Sequence, residues 1–202
     1  MYLYHGTIQS FADCIVSGGF KLGEGVYWLG SGIYFFANGH KAHNWTKPKS
    51  TKYSEEGVVV RIEINDEATE KYLLDLNQRS NISDLLNRFD FYLERTSLKI
   101  NAQSILFLRL LRDIKPFEEN RLPTEDEYRT ANRALGQIID IILNTYEMDY
   151  KNTKIIKKSF VNPSPKQRTA CFYSAEEIYC IRDVPFCNKC SKVIWDRTER
   201  TT

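Results

Sequence analysis

The sequence offers no long apolar run. Its most hydrophobic stretch, Ile105 to Leu111, is short and carries Arg109, so it cannot span a bilayer. Cysteine is scarce, irregularly spaced and odd in number, with five in 202 residues. That is no disulfide framework, and it points to a reducing, cytoplasmic setting. Strand-like sequence follows Met1 directly, which leaves no room for a targeting peptide. A dominant charge is missing too. The 28 Lys and Arg against 26 Asp and Glu leave +2, too little to argue nucleic-acid binding from the total. There is no internal repeat and no low-complexity block. Cys187-x-x-Cys190 is half a zinc site without a second Cys/His pair at matching spacing, so no metal is expected.

What is present supports a packed domain. Hydrophobic residues make up 42% and aromatics 13% of the chain. The length suits one domain over 1–202, with a helical insertion at about 80–146 and a short Cys-containing tail at about 184–202. Residues 2 to 7 read as a first strand. Ser10 reads as an N-cap to a short helix bearing Phe11, Cys14 and Ile15, which Gly18-Gly19 ends. Gly30 to Phe36 reads as a glycine-loosened turn running into an aromatic strand, and Lys41 to Trp45 as one or two helical turns. Thr46 to Glu56 reads as a long polar loop. Gly57 to Ile64 is the clearest strand, β-branched and ending in alternation. Tyr72 to Leu76 is a further short strand.

Helical spacing then takes over. Ser83 reads as the cap of a helix with Leu85, Leu86, Phe89 and Leu93 on one face. Ile105, Leu106, Leu108, Leu111 and Ile114 mark a second helix. Thr124 starts a third, with Leu135, Ile138, Ile139 and Ile142 in step. Strand character returns at Ile155-Ile156 and Ser159 to Val161, and again over 169–182. The expected class is α+β.

Two stretches carry the chemistry. Tyr4-His5-Gly6-Thr7 delivers a His from a strand end beside a Gly. Gly30-Ser31-Gly32-Ile33-Tyr34-Phe35 delivers a Tyr about thirty residues later, and Ala42 and Trp45 trail it. Glycine lets a ligand or another backbone approach closely. Together these pieces resemble the catalytic core of the ADP-ribosyltransferases, in particular the poly(ADP-ribose) polymerase-like branch, with its His-Tyr-Glu residues. The resemblance is specific over residues 2–64 and loose over 150–183. It implies a split, mostly antiparallel sheet, with NAD+ as substrate.

By that resemblance His5 bonds a ribose hydroxyl of the NAD+ adenosine and the Gly6 backbone pairs with the nicotinamide carboxamide. Thr7 supports the ribose. Ser31 joins the cofactor-binding set, Tyr34 walls the nicotinamide, and Trp45 is its second aromatic wall. The chain departs from the family's Ser-x-Ser-Ala-x-Tyr run, having Gly39-His40-Lys41-Ala42-His43-Asn44-Trp45 in its place. The third catalytic position is a carboxylate opening a late strand. Glu177 is the first candidate and Glu176 its neighbour, one residue away on the opposite face. Ser174-Ala175-Glu176-Glu177 also reads as a capping box. That would make 175–182 a helix and move the third position to Thr169 or Gln167.

The implied activity is mono-ADP-ribosyl transfer from NAD+ to a macromolecular acceptor, protein or RNA. Two lysine-rich segments, 41–52 and 151–168, are candidate acceptor contacts, and a solvated lysine face is their simpler explanation. A stand-alone transferase of this kind resembles a bacterial toxin or phage-defence effector held by an antitoxin protein. Two alternatives stay open: an NAD glycohydrolase, and a catalytically silent module that binds ADP-ribose or nucleic acid.

Overall fold

The computed structural model describes residues 1–22, 28–96, 125–161 and 175–196. The chain is α+β and divides into two compact units. One comprises residues 1–23, 32–74 and 153–202. The other comprises 24–31 and 75–152.

The first unit is built on a sheet. Its strands are β1 (Tyr2–Ile8), β2 (Ile33–Phe36), β3 (Gly57–Glu63), β4 (Leu73–Asp75), β5 (Ile155–Val161), β6 (Ala175–Ile181) and β7 (Lys192–Ile194). Among the described residues they form one sheet in the order β4-β5-β6-β2-β1-β3-β7, and β4 ends one residue into the second unit. The pairs β1–β3, β3–β7, β1–β2, β2–β6 and β5–β6 are all antiparallel.

β1 and β3 pair along their whole length, from Tyr2↔Glu63 to Ile8↔Gly57. The β1–β2 ladder is a single pair, Tyr4↔Phe36. The sheet is therefore knit firmly on either side of a narrow join, and that join lies beside His5.

Alternation sorts the side chains. Leu3, Ile33, Phe35, Val60, Ile62, Tyr179 and Ile181 share one face and are buried there with Ala12, Phe20 and Cys187. Ala12 belongs to α1 (Gln9–Gly18) and Cys187 to α8 (Val184–Lys189), so both helices close that face. The opposite face receives α2 (Gly39–Asn44), which presses on β1. A Cβ on Gly6 would lie 2.1 Å from the Ala42 carbonyl oxygen.

Several local readings are corrected. Thr46 to Glu56 is not a long loop. Lys47–Tyr53 forms α3, with Pro48 in its first turn, where its missing N–H costs nothing. Ser10 is not an N-cap, because α1 already starts at Gln9. Its N–H and hydroxyl both donate to Glu55 instead. The glycine-loosened turn gives way to the aromatic strand at Ile33. Residues 175–182 are not a helix. Ala175–Ile181 is β6, paired with β2 and β5 on its two sides. In the Cys-containing tail, residues 184–194 fold into α8 and β7. Asp66–Tyr72 is α4, capped by the Asn65 side chain on the Ala68 N–H at 2.7 Å.

The second unit holds α5 (Arg79–Thr96), α6 (Glu125–Thr145) and α7 (Glu147–Tyr150). Ile82, Leu85, Leu86 and Phe89 of α5 are buried, as are Leu135, Ile138, Ile139 and Ile142 of α6. Ser83 lies inside α5, which begins a turn earlier. The helix read at 105–114, the cap at Thr124, the segment 162–174 with Gln167 and Thr169, and the end from 197 lie outside the described residues. Among the described residues no helix is long and apolar enough to cross a membrane.

Candidate functional site

The strands that carry the candidate residues lie side by side at the sheet's centre. β6 bears Glu176 and Glu177, β2 bears Tyr34 and β1 bears His5, in the order β6-β2-β1. Antiparallel partners share a face, so the register assigns each side chain. Tyr34 pairs with Cys180, and Phe36 with both Ile178 and Tyr4. Counting in twos, Tyr34, Gly6 and Glu176 belong to the α2 face, whereas His5, Thr7 and Glu177 belong to the other.

His5 nevertheless reaches Tyr34. Its Nδ1 lies 2.8 Å from the Tyr34 carbonyl oxygen, across the gap where the β1–β2 ladder stops. The ring is set edge-on to Phe20 at 5.4 Å and to Phe35 at 5.7 Å. Phe20 is itself fixed by α8. Asn188 accepts from the Phe20 N–H at 2.6 Å and donates to its carbonyl at 3.1 Å. Gly19 makes this clamp possible: its φ is +89°, and a Cβ there would meet the Asn188 amide at 2.7 Å.

Desolvation between these rings drives the His5 pKa from 6.5 down to about 4. The Tyr34 carbonyl opposes that shift and the Lys49 charge adds to it. The imidazole is therefore neutral at pH 7. A carbonyl only accepts, so Nδ1 carries the proton and Nε2 presents a lone pair. Among the described residues no protein group engages Nε2. The site thus offers a fixed, uncharged hydrogen-bond acceptor at a strand gap.

The two carboxylates are held differently. Glu176 accepts from Lys41 Nζ at 3.1 Å, and its side chain is only 13% exposed. Lys41 comes from α2, so this carboxylate is tied to the element that covers Gly6. Glu177 accepts from Tyr179 Oη at 2.5 Å and from Lys157 Nζ at 3.2 Å. Lys157 sits on β5, and Tyr179 belongs to the buried face. Trp45 ends α2, is half exposed, and lies against Phe36 with ring centroids 5.7 Å apart.

The glycines of the motifs serve backbone packing. What approaches Gly6 is the α2 main chain at Ala42. What approaches Gly32 is Cys180, whose Sγ would be 2.3 Å from an added Cβ. Thr7 is buried on the opposite face from Gly6, with no hydrogen bond from its hydroxyl among the described residues. Ser31 is in the second unit, where its N–H and hydroxyl donate to the Asp140 carboxylate at 2.9 to 3.0 Å.

The Cys187 thiol is buried and pushed up to about 12, and Cys190 is raised as well, both chiefly by desolvation. Both are free thiols without nucleophilic character at neutral pH. Among the described residues no group of three or more His, Cys, Asp or Glu is arranged to hold a metal.

Sequence reasoning missed Phe20 and Asn188, the residues that position His5. It also missed that Lys41 ties down a β6 carboxylate, reading it only as one lysine of a basic run. A carboxylate pair on a strand gives no sign of which member a helix will reach, because tertiary packing decides that. No protein-family model, no curated protein and no solved structure matches this chain.

Proposed function

We propose that this chain is a mono-ADP-ribosyltransferase that moves ADP-ribose from NAD+ to a macromolecular acceptor and releases nicotinamide, and that its sheet is the core of that fold. The observation that carries this reading is the His5 Nδ1 to Tyr34 carbonyl bond. It joins the two motifs across the strand gap and leaves a neutral acceptor nitrogen for a ligand hydroxyl.

In this reaction the bond from ribose C1′ to the nicotinamide nitrogen breaks and its electron pair leaves with nicotinamide. The acceptor's nucleophile bonds to C1′ and loses a proton. The transition state resembles an oxocarbenium ion, as in glycoside hydrolysis. On this reading His5 Nε2 accepts from a ribose hydroxyl and Tyr34 walls the nicotinamide. Glu176 is the carboxylate that bonds the nicotinamide ribose, in preference to Glu177. It shares a face with Gly6 and Tyr34, and Lys41 pins it to α2. The Glu177 carboxylate is already engaged by Tyr179 and Lys157 on the other face. The biological setting that goes with this reading is a toxin or phage-defence effector restrained by a protein partner.

The test is incubation of the purified chain with NAD+ in a cell lysate, following nicotinamide release and label transfer. Wild type is expected to release nicotinamide and label a macromolecule, and His5→Ala and Tyr34→Ala are expected to do neither. Folded wild type that consumes no NAD+ in any lysate contradicts the reading. NAD+ consumption without any acceptor would instead favour the glycohydrolase.

A further inference from the structure

We infer that Asn188 is a positioning residue: acting through the Phe20 ring, it fixes the His5 imidazole on which a ligand hydroxyl docks. The inference rests on the NAD+ reading above for the identity of the ligand, but not for the hold on His5.

The geometry begins where α1 ends. Gly19 closes that helix with its N–H on the Ile15 carbonyl at 2.9 Å, and the chain then leaves regular structure. Phe20 follows and is buried. Outside any helix or ladder, its main-chain groups need partners from elsewhere. The Asn188 side chain supplies both, accepting from the Phe20 N–H and donating to the Phe20 carbonyl. One side chain can serve both groups only if it carries an acceptor and a donor on the same fork. An amide does so, and a carboxylate or an alkyl group does not.

Asn188 is itself anchored on two sides. Its main-chain carbonyl accepts from Lys192 Nζ at 2.6 Å, and Lys192 opens β7. At the start of α8, Asp183 accepts from the Phe186 N–H at 2.9 Å and from Lys154 Nζ at 2.9 Å, one residue before β5. The clamp on Phe20 therefore has its origin in the sheet.

The Phe20 ring passes this constraint to His5. His5, Phe20 and Phe35 form a set of three rings, each edge-on to the other two at 5.3 to 5.7 Å. β2 holds Phe35, so Phe20 is the member whose place depends on Asn188. An imidazole wedged in this set is kept from turning about its Cβ–Cγ bond. That turn would put a carbon in place of Nδ1 at the Tyr34 carbonyl and would aim Nε2 elsewhere. Recognition of a ribose hydroxyl depends on that aim, because hydrogen bonds weaken steeply as they bend.

The experiment compares wild type, Asn188→Ala and Phe20→Leu by nitrogen-resolved NMR of the imidazoles at pH 7 and by calorimetric titration with NAD+ and ADP-ribose. The chain has 3 histidines, and His5→Gln identifies the His5 signals. Wild type is expected to hold His5 as the Nδ1–H tautomer. Both variants, shown to be folded by circular dichroism, are expected to give a mixture of tautomers and to bind ADP-ribose about tenfold or more weakly. Phe20→Leu keeps the Asn188 clamp and an apolar side chain but loses the ring, so it carries the test should Asn188→Ala not fold. Trp195→Ala opens the opposite face, against Tyr4 and His40, and is expected to keep the wild-type His5 tautomer. That separates positioning from a general loss of stability. Wild-type His5 signals in folded Asn188→Ala and Phe20→Leu overturn the inference and leave the transferase reading standing. Altered His5 signals with unchanged ADP-ribose affinity overturn the positioning role as well. If His5 is altered in both variants but wild type binds neither NAD+ nor ADP-ribose, the hold on His5 stands and the transferase reading falls.

Discussion

His5 is where sequence and site meet most closely, and its protonation has a measurable consequence. Its folded pKa is about 4 against an ordinary 6.5, so below 6.5 the unfolded chain binds this proton more readily. The His5 contribution to stability is full above 6.5. It falls as pH drops from 6.5 toward about 4 and is flat below that. At about 1.4 kcal/mol per pH unit, the loss sums to roughly 3 kcal/mol. Urea unfolding of wild type should lose that amount between about pH 7 and pH 4 relative to His5→Gln, which cannot titrate there. Equal losses would contradict a buried, neutral His5. Glycine substitutions give a second residue-scale test. Gly6→Ala drives a methyl group into the Ala42 carbonyl and should cost more than about 2 kcal/mol. Gly18→Ala meets nothing within 4 Å at the end of α1, and should be neutral or slightly stabilising by about 0.5 kcal/mol in the same melts.

At the scale of the element, the register of the late strand β6 separates two adjacent glutamates. With Glu176 as the ribose-bonding group, Glu176→Gln should lower the rate of nicotinamide release by about 100-fold or more. Glu177→Gln should lower it by less than about tenfold. The reverse order would return the role to Glu177. This element also shows where sequence reading stops. Ser174 to Glu177 satisfies the local pattern of a helix cap, yet pairing with β2 and β5 on both sides makes the segment a strand. Local pattern fixes neither pairing nor face. β7 gives a parallel case. Trp195, just beyond it, is buried against Tyr4 and His40, with Gly39 leaving room for its ring. Trp195→Ala should cost about 3 to 5 kcal/mol in thermal or denaturant melts, and a loss near zero would contradict its burial.

Across the whole molecule, the elements legible in the sequence were those whose own pattern determines them. The β-branched run of β3 and the buried stripe Leu135, Ile138, Ile139 and Ile142 of α6 are such cases. The proline and lysines of α3 masked a helix whose value lies in what Thr46 packs against. Of the candidate site, the two motifs were legible, and His5 and Tyr34 do lie close to their strand join. It was not legible as a set. Ser31 is bonded to Asp140 in the second unit, Thr7 is buried on the face away from Gly6, and the lysine paired with each glutamate comes from another element. The central claim, that these strands form an ADP-ribosyl transfer site, is tested most directly by one measurement. Purified wild type and Glu176→Gln are incubated with phosphate-labelled NAD+ in lysate, followed by separate protease and nuclease digestion. Wild type is expected to move label into a macromolecule with release of nicotinamide, and Glu176→Gln, folded and melting normally, is expected not to. Label transfer absent from wild type, or equal in both proteins, would contradict it.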